Sequence, residues 1–308
     1  MQFPKLPAQQ LLARLEHPAE DRPVRVVMDT DTYNEIDDQF AVTYALLSRD
    51  RLQVEAIYAA PFHNDRSTGP ADGMEKSFRE IHRVLDRLKL KQKPPVYRGS
   101  ETFMTSPETP VPSDAAKDLV RRAMDMPDEE PLYVIALGAI TNVASAILLE
   151  PEIIRRIVVV WLGGHAFHFG HAREFNLMQD VRAARILFDS GVPLVLIPAL
   201  GVTSHLHTTL PEIEAYVKGR GAIGDYLAGI FRDYVPDHFA YSKVIWDIAG
   251  VAYLLLDQAM DSELVHSPVI NDTCTWSFDR SRHLIRYVSM VHRDVIFRDL
   301  FTKLQSSE

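Results

Sequence analysis

The chain has 308 residues, 46% hydrophobic and 24% charged, with a formal net charge of −9. This composition is that of a globular protein with a sizeable core, and the negative balance argues against a nucleic-acid polymer as partner while leaving a small neutral ligand open. Cys274 is the only cysteine, which excludes an intrachain disulfide and a zinc–thiolate cluster. In chain order, residues 1–22 carry only Leu11-Leu12 as a short apolar core, unlike a signal peptide. No later run is long and charge-free enough to span a bilayer, so the expected location is cytoplasmic, away from membranes.

Strand-like apolar runs then alternate with segments of helical period. Residues 24–29, 54–60, 132–137, 157–162 and 194–198 read as strands, and the first four lead into predicted helices over 36–47, 74–88, 140–149 and 181–188. The strands are nearly continuous in apolar residues, as when both faces of a sheet are covered by helices. Residues 100–113 read as a loop rich in Pro, Ser and Thr. Two later helices are predicted over 211–218 and 223–233, separated by Gly219 and Gly221, with strands near 273–278 and 284–288. The expected fold class is α/β. It has a mainly parallel, Rossmann-like sheet flanked by helices and a helical C-terminal part, in a single domain over 1–308.

The passage out of the first strand, Met28-Asp29-Thr30-Asp31-Thr32-Tyr33-Asn34-Glu35-Ile36-Asp37-Asp38, places four aspartates within ten residues before a helical segment. Such carboxylates repel one another and stay ionised only beside a cation. Hard oxygen ligands suit Ca²⁺ or Mg²⁺ better than zinc. Aspartates at strand ends also serve as caps or solvated loop residues; the density here favours a metal site where open α/β sheets place their ligands.

Three further segments carry chemistry. Leu137-Gly138-Ala139-Ile140-Thr141-Asn142 is a strand running through a tight turn into a helix; it is either a plain turn capped by Thr141 or Asn142, or a source of a backbone carbonyl ligand. Gly163-Gly164-His165 through Glu174-Phe175-Asn176 combines glycines, aromatics, an amide, a carboxylate and the spaced histidines His165, His168 and His171, a density suited to a sugar or a base. Asp247 opens the apolar segment 248–256 and is either a helix cap or a carboxylate aimed at a ligand.

Together, across residues 24–256, these motifs resemble the nucleoside hydrolase family, the inosine/uridine-preferring N-ribohydrolases. The resemblance implies tightly bound Ca²⁺ held by Asp31, Asp38, Asp247 and the carbonyl of Leu137. It implies that Asp37, Asn64, Glu174 and Asn176 hold ribose hydroxyls, with His168 where the family usually has a sugar-binding Asn. It also implies a homodimer or homotetramer. The expected reaction is hydrolysis of an N-glycosidic bond through an oxocarbenium-like state, with a metal-held water and Asp31 as general base. The sequence departs from the family pattern in its acidic loop, where Asn34-Glu35 is an apparent insertion. It departs again at Trp246, which stands before Asp247 where acid-catalysing members carry His. Tryptophan cannot protonate a leaving base, so either base stacking on Trp246 or Phe167, or one of His165, His168 and His171, is expected to act there. A non-catalytic ribose- or nucleoside-binding protein retaining the metal cup is the alternative, and a phosphoesterase with His ligands or a second metal a third.

Overall fold

The computed structural model describes residues 3–19, 22–127 and 130–306. Eight strands form the central sheet: β1 (Val24–Thr30), β2 (Leu52–Ala59), β3 (Val96–Arg98), β4 (Leu132–Ala136), β5 (Ile157–Leu162), β6 (Leu194–Ile197), β9 (Met260–His266) and β12 (Leu284–Val291). Their order across the sheet is β3-β2-β1-β4-β5-β6-β12-β9. Every neighbouring pair is parallel except β12 with β9. Two ribbons stand apart, β7 (His207–Thr208) with β8 (Lys243–Val244), and β10 (Val269–Ile270) with β11 (Trp276–Ser277).

Alternating residues of the inner strands feed two apolar layers. Val26, Met28, Val158 and Val160 pack into one, and Val27, Val159 and Trp161 into the other. Both faces are therefore buried, which explains why these strands read as unbroken apolar runs. The first five predicted strands and the helices after the first four are present, with ends shifted by a few residues. The C-terminal part holds the two predicted helices, Leu210–Tyr216 and Gly221–Arg232, and also adds β9 and β12 to the main sheet. Among the described residues no helix is long and apolar enough to cross a membrane.

The chain leaves β1 toward β2 and β3 on one side and returns to place β4 on the other. The strand order thus reverses at β1, and the crevice beyond the carboxyl ends of β1 and β4 is the position where such sheets bind ligands. Asp31 and Leu137 follow directly from those two strand ends.

Candidate active site

Asp31 leaves β1 fully buried, and the first turn of the helix Asp37–Leu47 supplies Asp37 and Asp38, both buried. Two carboxylates at a helix N-terminus complement its dipole. Asp247 comes from the far end of the chain, at the N-cap position of the helix Ile248–Leu255, yet its side chain makes no cap hydrogen bond. It joins the acidic loop instead: one carboxylate oxygen from each of Asp37, Asp38 and Asp247 lies within 4.8 Å of the others. Asp31 sits against this trio, within hydrogen-bonding reach of Asp38. A Cβ placed on Gly138 would stand 3.1 Å from Asp31 Cγ, so the glycine leaves the room that this carboxylate occupies.

Burial pushes the carboxyls of Asp31 and Asp247 well above the ordinary range, and the charges of the neighbouring acids push further. Burial and the charge of Asp37 lift Asp38 to about 7, against the Thr30 hydroxyl that donates to it. Burial lifts Asp37 to about 6, opposed by the ammonium of Lys243. Both carboxylate oxygens of Asp31, and Oδ2 of Asp38, are buried without a hydrogen-bond donor among the described residues. Uncompensated buried charge of this kind is costly. A hard divalent cation answers all of these features at once, so the residues present fit a metal ion.

A cavity of about 420 Å³ opens onto this cluster, with Asp37, Leu137 and Asp247 in its wall. Over the ends of β1 and β2 it is lined by Asn34, Glu35, Asp37 and Asn64; over the ends of β5 and β6 by Leu162, His165, Ala199 and Leu200. Glu174, Phe175, Asn176 and Trp246 complete it. Glu174 caps the helix Phe175–Gln179 by accepting from the N–H groups of Asn176 and Leu177, and it accepts from Gly164 N at 2.9 Å as well. Burial lifts its carboxyl to about 7 despite these donors. Asn176 Nδ2 donates to the carbonyls of Leu137, at 2.9 Å, and Leu162, at 3.0 Å. Its own Oδ1 is thereby left for a ligand, and the Leu137 carbonyl keeps a second lone pair. Asn64 Nδ2 donates to Asn34 Oδ1 at 2.7 Å, tying the loop after β2 to the acidic loop after β1.

The structure thus gathers Asp31, Asp37, Asp38, Asn64, Leu137, Glu174, Asn176, Trp246 and Asp247 at one place. It does not bring His168 there. That residue is exposed, its ring 4.7 Å from that of Phe169, and it does not line the cavity. His165 lines it instead, with its Nδ1 accepting from Leu200 N at 3.4 Å. Two participants lie outside the site residues expected from the sequence. Lys243 is buried, pairs with Glu35 and stands beside Asp37. Asn142 donates to Asp29 Oδ1 at 2.7 Å, holding a buried acid below the site.

Residues 26–284 match the family model described as inosine-uridine preferring nucleoside hydrolase. The chain belongs to this family. Nucleoside hydrolases are N-glycosyl hydrolases of ribonucleosides, and a buried acidic cluster able to hold a metal agrees with their metal dependence. Among curated relatives, the chain is 28% identical over 241 residues to a pyrimidine-specific ribonucleoside hydrolase of Salmonella paratyphi A, spanning 71% of this chain and 72% of the relative. The solved structures repeat the fold. A plant nucleoside hydrolase superposes with a TM-score of 0.74 at 20% identity, over 92% of this chain and 99% of its own. A purine-preferring ribonucleoside hydrolase from Gardnerella vaginalis gives 0.71 at 20% identity, over 92% and 98%.

Proposed function

We propose that this nucleoside hydrolase is a Ca²⁺-dependent ribohydrolase that converts a ribonucleoside, or a related N-riboside, to ribose and free base with Asp31 as general base. The observation that carries the reading is the convergence of Asp31, Asp37, Asp38 and Asp247, from opposite ends of the chain, beneath one cavity. Asp31, Asp38, Asp247 and the Leu137 carbonyl would hold the cation. When bound, Ca²⁺ supplies an anchor for vicinal hydroxyls and Lewis-acid polarisation of the attacking water.

The protein's own groups do the rest. Asp37, Asn64, Glu174 and Asn176 accept from or donate to ribose hydroxyls, fixing the sugar over the acids. Positive charge that develops on the sugar as the C1′–N bond stretches is stabilised by carboxylates held in place before the reaction. Asp31, whose two carboxylate oxygens accept from no donor among the described residues, takes the proton of the attacking water. A cytoplasmic homo-oligomer built from one domain per chain is the assembly in which we place this chemistry.

The test is Asp31→Asn assayed with Ca²⁺ present. Release of reducing sugar from nucleosides is expected to fall by about 10³-fold or more, with far-UV circular dichroism unchanged. Turnover equal to that of the parent protein rejects Asp31 as the base.

A further inference from the structure

The cavity is short of proton donors where a base would leave. Its lining over β5 and β6 is Leu162, Ala199 and Leu200, with His165 as the only imidazole among the described lining residues. The Nδ1 of His165 accepts from the Leu200 N–H, and burial, reinforced by His171, lowers the pKa of the ring, which favours the neutral imidazole with its one N–H at Nε2, a much weaker acid than an imidazolium. Both carboxylate oxygens of Glu174 already accept backbone N–H bonds from Gly164, Asn176 and Leu177, so its carboxyl group is committed to holding that turn. No tyrosine or cysteine lines the cavity among the described residues.

The same cavity is rich in negative charge and offers an aromatic face. Asp31, Asp37, Asp38, Asp247, Glu35 and Glu174 surround it or lie beneath it, and Lys243, paired with Glu35, is the cation set among them. A divalent ion leaves this group of carboxylates in excess. Trp246 lines the cavity half-buried, and no other ring packs against it among the described residues. A free indole in negative surroundings attracts a flat cation.

Resting on the ribohydrolase reading above, we infer that the preferred substrates are ribosides of cationic, quaternised heterocycles, of the pyridinium type. Their base departs without needing a proton. The water oxygen bonds to C1′ as the C1′–N bond breaks. The bonding pair passes to the ring nitrogen, which becomes neutral, and the water proton goes to Asp31. A neutral purine or pyrimidine would leave as an anion unless protonated, and the cavity supplies little to protonate it.

The experiment compares kcat/KM of the Ca²⁺-loaded protein for nicotinamide riboside, uridine, inosine and 4-nitrophenyl β-D-riboside. Nicotinamide riboside is expected to exceed both neutral nucleosides by more than about tenfold, since general acid catalysis is what the neutral pair lacks. Uridine or inosine cleaved within tenfold of it overturns the inference and leaves the ribohydrolase reading standing. So does cleavage of the nitrophenyl riboside alone. Failure to cleave any of the four rejects the ribohydrolase reading itself. Two variants sharpen the result. Trp246→His is expected to raise turnover of uridine or inosine at least about tenfold by adding an acid. Trp246→Leu is expected to lower the preference for nicotinamide riboside over the nitrophenyl riboside by about tenfold; an unchanged ratio in this variant counts against the cation's contact with the indole.

Discussion

The two sides of the cavity are built on different physical terms. Over β1 and β2, several polar groups are held by others: Asn64 by Asn34, Glu35 by Lys243, and one oxygen of Asp38 by Thr30. Arg66 also donates to the carbonyls of Tyr33 and Glu35, fastening the acidic loop from outside. Over β5 and β6 the lining is aliphatic apart from His165, and exposed Leu200 sits at its edge. Directed hydrogen bonds and charge demand placement within tenths of an ångström; an aliphatic wall only demands shape. The first side is therefore suited to the ribosyl group and the reaction, and the second to whatever base is attached. Substitutions on the two sides should differ in kind, one set acting on turnover and the other on substrate choice.

The largest effect is expected at Asp38→Asn. This change removes a carboxylate from the trio with Asp37 and Asp247 while keeping its shape. kcat/KM should fall by about 10³-fold or more, accompanied by loss of stoichiometric Ca²⁺ on metal analysis. A fall of less than tenfold would erase the distinction between the two sides.

The second effect concerns pH and metal. Without a cation, the carboxyls of Asp38 and Glu174 are pushed up to about 7 and that of Asp37 to about 6, each first of all by burial. Their unfolded values lie near 4. A carboxyl raised on folding contributes stability that is present below its unfolded pKa and lost as pH rises through the folded one. In chelator, Tm is therefore expected to fall between about pH 4 and pH 8. Ca²⁺ at a thousandfold excess over Kd should remove that fall and add about 4 kcal/mol of stability. A Tm in chelator that is flat over this range contradicts the electrostatic account.

On the aliphatic side the effects shrink. Leu200→Ala removes contact surface without touching an acid, so KM for a cleaved riboside is expected to rise about three- to tenfold with kcat unchanged. A change confined to kcat would mean that Leu200 helps to position the reacting sugar.

The same contrast governs what could be read from the sequence. The acidic loop was legible because four aspartates after an apolar strand have few other uses, and the βα grammar because both faces of the inner strands are buried. Asp247 was ambiguous because a cap and a ligand occupy the same sequence position; only the fold shows its side chain turned away from the helix N–H groups. Glu174 shows the converse, since it caps a helix and lines the cavity together. Asn142, a candidate cap, reaches Asp29 and Ser100 instead of capping its own helix. Lys243 was invisible because a buried lysine is defined by its partners, and Glu35 lies 208 residues away. Edge strand β9 was missed because its middle residues, Asp261, Ser262, Glu263 and Leu264, are exposed and lack the apolar run of the inner strands. Three-residue β3 is too short to carry a period.

The smallest effect is expected at His168, and it tests how far motif position can stand in for geometry. Its place in a Gly- and His-rich loop puts it in line with sugar-binding residues, and Glu174 and Asn176, a few residues further on, do reach the cavity. The chain turns between them: Phe169 N bonds to Ala166 O, and His168 is left in solvent against the Phe169 ring. An exposed side chain of this sort contributes little to a ligand held elsewhere. His168→Ala should change kcat/KM by less than about twofold and leave Tm within about 1 °C, a shift expected of surface substitutions. A loss approaching that of Asp38→Asn would instead mean that the loop from Ala166 to Phe169 rearranges over bound substrate and carries the imidazole inward.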